Sequence, residues 1–152
     1  MADYICRLMR EVDLDEVIEL VRNAGDFAWS PKNIQDSFLS NNDSSFVLSS
    51  LTGKGVLGYA VIHTVLDESH ILNIVIKKKE QGKGLGSYLI QGLIDIVKHQ
   101  HQNLLMLEVR ASNSKAIKFY ENIGFQPSGI RKDYYPAEKG REDAWLYSLP
   151  LV

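Results

Sequence analysis

Apolar residues recur along the chain with two spacings, and these spacings predict its strands and helices. Short or alternating apolar runs predict strands near residues 4–10, 46–51, 56–66, 71–76, 104–109, 125–131 and 143–149. Apolar residues three or four positions apart predict helices after residue 13, after residue 31, from residue 85 onward and from residue 113 to 123. The predicted order is β-α-α-β-β-β-α-β-α-β-β, which indicates a mixed sheet covered by helices.

Several predicted helices begin or end at residues that commonly cap helices. Asp13 and Glu16 have the spacing of a capping box at the start of the first helix. Ser30-Pro31 supplies an N-cap and a first-turn proline for the second helix. Glycines are expected to end two helices, at Gly25 and Gly124.

A strand, a helix and a second strand between residues 71 and 109 form a crossover unit. Such a connection makes its two strands parallel, so the strands ending at Ile76 and Val109 should have their carboxyl ends at one edge of the sheet. Ligands of α/β proteins commonly bind at that edge.

Composition and charge narrow the class of protein. A chain of 152 residues with 45% hydrophobic residues can bury the core of one compact domain, here residues 1–152. A net charge of −2 argues against a general nucleic-acid binder, so any positive patch should be local. We find no membrane span and no targeting signal, and Cys6 is the only cysteine. We therefore expect a soluble cytoplasmic protein without an intrachain disulfide or a membrane partner.

The segment QGKGLG, Gln81–Gly86, lies between a predicted strand end and a long helix. Glycines let several backbone N–H groups point at one anion, and the helix dipole favours negative charge there. The segment therefore predicts a pyrophosphate-binding turn. The nearby lysines either meet additional phosphate charge or form a solvated loop; they are Lys77, Lys78, Lys79 and Lys83.

Other motifs give weaker predictions. The segment GKGVLG at residues 53–58 matches a dinucleotide-binding pattern, but a strand follows it, so a hairpin turn is the better interpretation. A P-loop motif does not occur. His99 and His101 are two residues apart and do not share a helix face, and no histidine is placed near Cys6 by any motif. We expect neither a metal site nor a cysteine nucleophile.

The spacing Gln-x-x-Gly-x-Gly after a central strand resembles the GNAT N-acetyltransferases. Three further segments are similar to their RimI branch, which acetylates the N-terminal alanine of the eighteenth small-subunit ribosomal protein: VLDESHILNIVI, LEVRASNSKAIKFYENIGF and DYYPAEKGREDAWLYSLP. The segment FAWS at residues 27–30 resembles that branch as well, whereas Lys77-Lys78-Lys79 departs from it.

This resemblance implies a fold, a cosubstrate and a partner. The implied fold is α/β (α+β), with a mixed, mostly antiparallel sheet, one splayed parallel pair of strands and about four helices. The implied cosubstrate is acetyl-CoA, without a metal, and the implied partner is the N-terminal tail of a small-subunit ribosomal protein. It also implies that the glycine turn holds the pyrophosphate, through Gln81, Gly82, Lys83, Gly84, Leu85, Gly86 and Ser87.

Two residues are candidates for proton transfer. Strand alternation places Glu108 on the face of Leu104 and Met106, where its carboxylate is either a general base or half of a salt bridge, for example to Arg110. Helical periodicity alone favours Tyr120 as a core aromatic residue. The resemblance implies that Glu108 takes the proton of the amine, through water, and that Tyr120 is the general acid that protonates the leaving thiolate.

Cofactor contacts are expected from two further parts of the chain. Asn113 has the position of an N-cap for the helix that follows it, and the resemblance adds a contact to the cofactor. The backbone of Ile74, Val75 and Ile76 should pair with the pantetheine arm as an added strand would.

The acceptor amine must be neutral when it attacks the thioester. An α-amino group has a pKa of about 8 and a lysine of about 10.4, so an N-terminal amine is deprotonated more easily, by roughly 3–4 kcal/mol. Asp67 and Glu68 either receive a basic acceptor or are solvated loop residues, and Tyr134 and Tyr135 are expected to wall the acceptor groove. Trp29 is a candidate for the groove and for the core alike.

Two alternatives to an N-terminal acetyltransferase remain. The same fold could acetylate a lysine or a small-molecule amine, or the protein could be a non-catalytic acyl-CoA-binding module. Such a module would need Gly84 and Gly86 but not Glu108 and Tyr120 together, so the presence of both favours an enzyme.

Overall fold

The computed structural model describes residues 3–25, 28–53 and 55–152. It contains one seven-stranded sheet with the strand order β1-β2-β3-β4-β5-β7-β6. The elements in chain order are β1 (Tyr4–Leu8), α1 (Leu14–Arg22), α2 (Pro31–Leu39), β2 (Asp43–Ser50), β3 (Val56–Val65), β4 (Glu68–Ile76), α3 (Leu85–His99), β5 (Leu104–Arg110), α4 (Ser114–Ile123), β6 (Gln126–Pro136) and β7 (Arg141–Pro150).

Only the central pair of neighbouring strands, β4 and β5, is parallel, and every other neighbouring pair is antiparallel. The predicted crossover through α3 and the predicted mixed, mostly antiparallel fold are therefore confirmed. Across residues 3–25, 28–53 and 55–152, none of the helices combines the length and the apolar character needed to span a membrane.

The sheet carries a hydrophobic core on each face. Helices α3 and α4 pack on one face, over residues such as Leu48, Ala60 and Leu105. Helices α1 and α2 cover the other face, over Val47 and Val61. Because β2 and β3 contribute alternate residues to the two cores, both faces of the central sheet are removed from water.

The parallel pair opens halfway along its length. Its ladder runs from Glu68 beside Leu104 to Ile71 beside Leu107 and stops there. At that point Leu72 is an extra residue in β4, because Ile71 and Asn73 pair with consecutive residues of β3. Such a bulge bends a strand. We call residues 68–71 and 104–107 the closed end of the pair, and residues 72–76 and 108–110 the open end.

Hydrogen bonds between the adjoining loops fasten the closed end. The backbone N–H of Asn103 donates to the carbonyl of Asp67 at 2.8 Å, and the Asn103 side chain donates to the Asp67 carboxylate. Ser69 Oγ donates to Gln102 Oε1 at 3.0 Å, and Gln102 Nε2 donates to the carbonyl of Leu66 at 3.2 Å. The turn before β4 and the turn before β5 are thus tied together.

The capping box predicted from Asp13 and Glu16 is wrong. The Asp13 carboxylate instead accepts from Arg7 at 2.8 Å and from the backbone N–H of Arg10 at 2.8 Å. Glu16 Oε2 accepts from the backbone N–H of Val56 at 3.0 Å. Both carboxylates are therefore used to attach α1 to the sheet, which the local spacing does not reveal.

Other predicted ends are closer to the structure. Ser30 caps α2, because its hydroxyl accepts from the backbone N–H of Asn33 at 3.1 Å. Gly124 follows α4 with a φ of +121°, as expected of a helix-ending glycine. Helix α1 ends at Arg22, before the predicted Gly25.

The last two strands are longer than predicted. β6 extends to Pro136, so Tyr134 and Tyr135 belong to a strand rather than to a loop. Glu68 likewise lies in β4 and not in the loop before it. In the predicted turn at residues 52–55, Lys54 lies outside the described residues.

Candidate active site

The open end of the β4–β5 pair borders a cavity of about 520 Å³, which we call the acceptor cavity. The cavity is lined by both strands, by the residues immediately before α2, by α4 and by the end of β6. Its lining residues are Ala28, Trp29, Ile71, Leu72, Asn73, Ile74, Leu107, Glu108, Val109, Arg110, Asn113, Ala116, Tyr120, Tyr135 and Pro136.

Glu108 is the carboxylate that the structure places in the acceptor cavity beside the point where the strands separate. Alternate residues of β5 are buried, namely Leu105, Leu107 and Val109, and Glu108 lies on the opposite face as predicted. Its side chain is 18% exposed, and its Oε1 lies 3.2 Å from Arg131 Nε. The predicted salt bridge exists, but its partner is Arg131 and not Arg110. Among the described residues, only Oε1 has an ion-pair partner, so Oε2 retains acceptor capacity.

Tyr120 is a core aromatic residue, as helical periodicity predicts, and it also borders the acceptor cavity. Its residue is 7% exposed, and its ring packs edge-on against Phe119 and Phe125, with centroid distances of 5.2 and 5.6 Å. Burial raises the pKa of the Tyr120 phenol to about 12, so the phenol keeps its proton at neutral pH.

A second cavity of about 540 Å³ lies at the start of α3, and we call it the glycine-loop cavity. It brings together most of the residues predicted to bind the cofactor. Its lining residues are Ile76, Glu80, Gln81, Gly82, Gly84, Leu85, Gly86, Ser87, Asn113, Lys115, Ala116 and Phe119. Because Asn113 and Ala116 also line the acceptor cavity, the two cavities meet at the first turn of α4.

The glycine turn leaves the start of α3 open. Gly82 and Gly84 both have φ of +81°, a conformation that side chains with a Cβ rarely adopt, and a Cβ on either would meet nothing within 4 Å. Within the described part of the chain, no side chain caps α3, whose N-cap is Gly84, so the first backbone N–H groups of the helix are left open. Such N–H groups and the helix dipole suit an anion.

Two side chains of the turn are engaged within the protein. Gln81 Nε2 donates to the carbonyl of Ile76 at 3.2 Å, which ties the turn to the end of β4. Lys83 forms a 2.9 Å ion pair with Glu80 and is not among the residues that line the glycine-loop cavity. The backbone of this turn is therefore better placed for a ligand than these two side chains are.

Asn113 and β4 connect the two cavities. Asn113 Oδ1 accepts from the backbone N–H of Ala116 at 3.2 Å, which confirms the predicted N-cap. On β4, Ile74 lines the acceptor cavity and Ile76 the glycine-loop cavity, whereas Val75 packs against the core under α1 and α2. Beyond Ile71 the backbone of β4 has no partner on β5, so this edge can pair with a ligand.

The lysine run at residues 77–79 is separate from the glycine-loop cavity. Lys77, Lys78 and Lys79 line a separate cavity of about 440 Å³ together with Glu16 and Glu19 of α1. These three lysines are therefore not part of the glycine-loop cavity.

Tyr135 and Trp29 both line the acceptor cavity, as predicted for the acceptor groove. The guanidinium of Arg110 lies 4.4 Å from the centre of the Tyr135 ring, and Arg110 also donates to the carbonyl of Pro136 at 2.7 Å. Burial, with the nearby Glu108 charge, raises the pKa of Tyr135 to about 12. Trp29 lines the cavity and packs against the α1/α2 core at the same time.

Tyr134 does not form part of the acceptor-cavity wall. It packs edge-on against Tyr135 at 5.0 Å and is absent from the lining of the acceptor cavity. Phe27, part of the FAWS segment, lies outside the described residues.

Asp67 and Glu68 are not brought to the acceptor cavity. Both lie at the closed end of the parallel pair, where Asp67 accepts from Asn103. Glu68 precedes Ile71 by three residues, or about 10 Å along a strand. Both were candidates for acceptor binding because acidic residues suit a basic substrate, but they lie at the start of β4, away from the carboxyl ends where ligands were expected.

Asn73 is a cavity residue that the sequence interpretation missed. It is the only polar residue of the segment ILNIVI, and that interruption of an apolar strand was the available signal. Its Nδ2 is buried and has no hydrogen-bond partner among the described residues. An unsatisfied buried amide costs about 1–3 kcal/mol, so the residue requires an explanation. Arg131, by contrast, gave no local signal, because its ion pair with Glu108 depends on the position of β6.

Other nucleophiles and ligands are poorly placed. Burial raises the pKa of the Cys6 thiol to about 11, which disfavours the reactive thiolate. His63 is paired with Asp43 at 2.6 Å. Over the three described ranges, no group of three or more His, Cys, Asp or Glu residues could hold a metal ion.

Comparisons with known proteins agree with this geometry. Residues 14–125 match the model of the acetyltransferase (GNAT) family. The chain is 38% identical over 144 residues to ribosomal protein bS18-alanine N-acetyltransferase of Escherichia coli (strain K12), covering 94% of this chain and 95% of that protein.

Solved structures of acetyltransferases are also similar to this chain. The crystal structure of the ribosomal-protein-S18-alanine N-acetyltransferase from Escherichia coli is similar with a TM-score of 0.89 at 34% identity, covering 97% of this chain and 94% of that chain. A spermidine N-acetyltransferase chimera from Vibrio cholerae SpeG and hSSAT has a TM-score of 0.87 at only 18% identity, covering 99% and 96% of the two chains. The second likeness concerns the fold alone.

Proposed function

The chain belongs to the acetyltransferase (GNAT) family, and we propose that it transfers the acetyl group of acetyl-CoA to the N-terminal α-amine of a protein. The acceptor that we propose is the N-terminal alanine of ribosomal protein bS18, in the cytoplasm, because the relative that is 38% identical over 94% of the chain is named for that reaction. In this proposal residues 1–152 act as one acetyltransferase domain.

The observation that carries the proposal is the junction of the two cavities. A turn suited to a diphosphate lies in one cavity, and a carboxylate and a protonated phenol lie in the other. Asn113 and Ala116 line both, so one elongated molecule can reach from the start of α3 to Glu108. This arrangement suits a cosubstrate with a charged end and a reactive end.

The residues present fit acetyl-CoA. The open N–H groups at the start of α3 and the glycines at 82 and 84 would hold the pyrophosphate, together with Leu85, Gly86 and Ser87. The unpaired edge of β4 at Ile74–Ile76 would hydrogen-bond the pantetheine arm. When bound, acetyl-CoA supplies an activated acetyl thioester.

Glu108 would act as the general base. It lines the cavity from the strand that diverges from β4, and it accepts the proton that the amine loses as its nitrogen bonds to the acetyl carbon. The ion pair to Arg131 holds the carboxylate at the edge of the cavity while one oxygen stays available.

Tyr120 would act as the general acid. As the carbon–sulfur bond breaks, the sulfur needs a proton, and the phenol of Tyr120 donates it before regaining one from solvent. Because burial raises the pKa of this phenol to about 12, the proton is present throughout the neutral range.

A single experiment tests the acceptor. The protein is incubated with acetyl-CoA and a peptide that begins with the residues of bS18 and contains one internal lysine, and the acetyl group is located by mass spectrometry. We expect acetylation of the α-amine. Acetyl found only on the lysine would favour the alternative acceptor class, and no transfer with intact coenzyme A binding would favour a non-catalytic module.

A further inference from the structure

Asn73 is a polar residue in a wall that is otherwise built for packing. Its neighbours in the segment Ile71–Ile76 are all apolar, and its Nδ2 is buried without a partner among the described residues. It also lines the acceptor cavity. Because a buried polar group without a partner is destabilising, a residue kept only for packing at this position would be apolar. The amide is therefore explained best by a ligand group that enters the cavity.

Asn73 and Glu108 line the same cavity from the two strands of the parallel pair, β4 and β5. The last pair of the parallel ladder is Ile71 with Leu107. Glu108 is one residue beyond that pair on β5, and Asn73 is two residues beyond it on β4. Both line the acceptor cavity just beyond the last pair of the ladder, so the substituents of an amine that gives its proton to Glu108 can reach Asn73.

The substituents of an α-amine differ from those of a side-chain amine in one respect that matters here. An N-terminal α-amine carries a peptide carbonyl on its neighbouring carbon, whereas a lysine ε-amine or a polyamine carries only methylene groups at that distance. A buried amide donor beside the base can therefore find an acceptor only when the substrate is an α-amine.

We propose that the side-chain amide of Asn73 donates a hydrogen bond to the first peptide carbonyl of the acceptor, and that this bond favours an N-terminal amine over a side-chain amine. The inference rests on the proposed function and names the residue that determines its acceptor class. Half a turn of the carboxamide exchanges Nδ2 and Oδ1 with almost no change in shape, so the donor can face the cavity when the carbonyl arrives.

The test compares two acceptors of which only one carries that carbonyl, and it scores how the preference between them changes on mutation, because the second acceptor also lacks the peptide N–H and has a more basic amine. One is a peptide with N-terminal alanine, and the other has an (E)-alkene in place of its first peptide bond. We expect the wild-type protein to prefer the natural peptide by about 10- to 100-fold in kcat/KM. In Asn73→Leu, which removes the donor at similar volume, this preference should fall by about 10-fold relative to the wild-type protein, and the dissociation constant of coenzyme A should not change.

Thermal unfolding separates this role from a structural one. If Asn73 only stabilised the fold, Asn73→Leu would lower Tm and would reduce kcat/KM equally for both acceptors. Either result would overturn the proposal. We expect Tm to be maintained or raised, because an apolar group replaces an unpaired amide. His70→Leu is the matched control, since His70 Nε2 is also buried and unpaired on β4 but does not line the acceptor cavity. It should leave the preference for the natural peptide unchanged.

Failure of this inference can be told from failure of the proposed function. If the wild-type protein acetylates the alanine peptide and Asn73→Leu keeps the wild-type preference, only the role of Asn73 is wrong. If the wild-type protein acetylates neither alanine acceptor but does acetylate a lysine peptide with a blocked N terminus, the proposed function is wrong and this inference falls with it.

Discussion

At one end of the β4–β5 pair, Glu68–Ile71 lie in register with Leu104–Leu107, while at the other end the same two strands diverge around a cavity. At the closed end the adjoining loops are tied by hydrogen bonds, such as those between Asp67 and Asn103, although His70 Nε2 is buried there without a partner among the described residues. At the open end an unpaired strand edge, the Asn73 amide and the Glu108 carboxylate border a cavity, and Asn73 Nδ2 is likewise buried without a partner among the described residues. The difference shows that a buried unsatisfied polar group points to the functional end of this sheet only where its residue also lines a cavity.

The largest expected effect concerns the glycine turn next to the open end. In Gly84→Asp, a carboxylate would occupy the positive end of α3 and repel a diphosphate, so the dissociation constant of coenzyme A should rise by about 100-fold or more, as calorimetry can measure. Gly140→Asp is the matched control, because Gly140 also has a φ of +80° with nothing within 4 Å of an added Cβ. Unaltered affinity in Gly84→Asp would place the cofactor elsewhere.

The second-largest effect is expected on kcat, and it distinguishes two glutamates of the parallel strand pair. Glu108→Gln should lower kcat by about 100-fold, since the base is lost, and should leave the affinity for coenzyme A unchanged. Glu68→Gln, at the closed end, should retain wild-type kcat and KM in the same steady-state assay. A fall in activity in the second variant alone would reverse our assignment of the two ends.

The third effect concerns the phenol of the acceptor cavity. Tyr120→Phe should lower kcat by about 10-fold or more because the leaving sulfur loses its proton donor. Since burial raises the pKa of Tyr120 to about 12, the wild-type phenol stays protonated below that pH, and kcat should not decline up to about pH 10 through loss of this proton. A decline between about pH 8 and pH 10 that is absent from Tyr120→Phe would contradict the assignment.

The smallest effect belongs to the closed end. Asp67→Ala removes the carboxylate that accepts from the Asn103 side chain, and it should cost about 1 kcal/mol of unfolding free energy, or roughly 2–4 °C in Tm. Steady-state kinetics should be unchanged. A double-mutant cycle with Asn103→Ala measures the coupling, and a large rise in the KM of the acceptor would show instead that Asp67 binds substrate.

The features predicted from sequence are those with local causes. The order of strands and helices follows from apolar spacing, and Ser30, Asn113 and Gly124 lie at helix ends as their residue types indicate. The glycine turn was recognisable because strand, glycines and helix are contiguous in the sequence.

What could not be predicted depends on contacts between distant parts of the chain. Glu16 does not take its predicted capping role, because its carboxylate accepts from the backbone N–H of Val56, forty positions away. The partner of Glu108 is Arg131 on β6, a residue that no spacing relates to it. Asp67 and Glu68 were candidates for acceptor binding because of their charge, but the structure places them at the start of β4, outside the acceptor cavity.

The extra residue at Leu72 implies that the opening between β4 and β5 depends on the number of residues in β4. The Leu72 side chain is 43% exposed, and Ile71 and Asn73 pair with Ile62 and Val61 on either side of it. Removing position 72 would leave all other β3–β4 partners on their present faces while straightening the strand toward β5. In natural or engineered variants, exchange of this leucine for another amino acid should therefore be far better tolerated than a one-codon deletion, which would yield a well-folded protein with no room for its substrates.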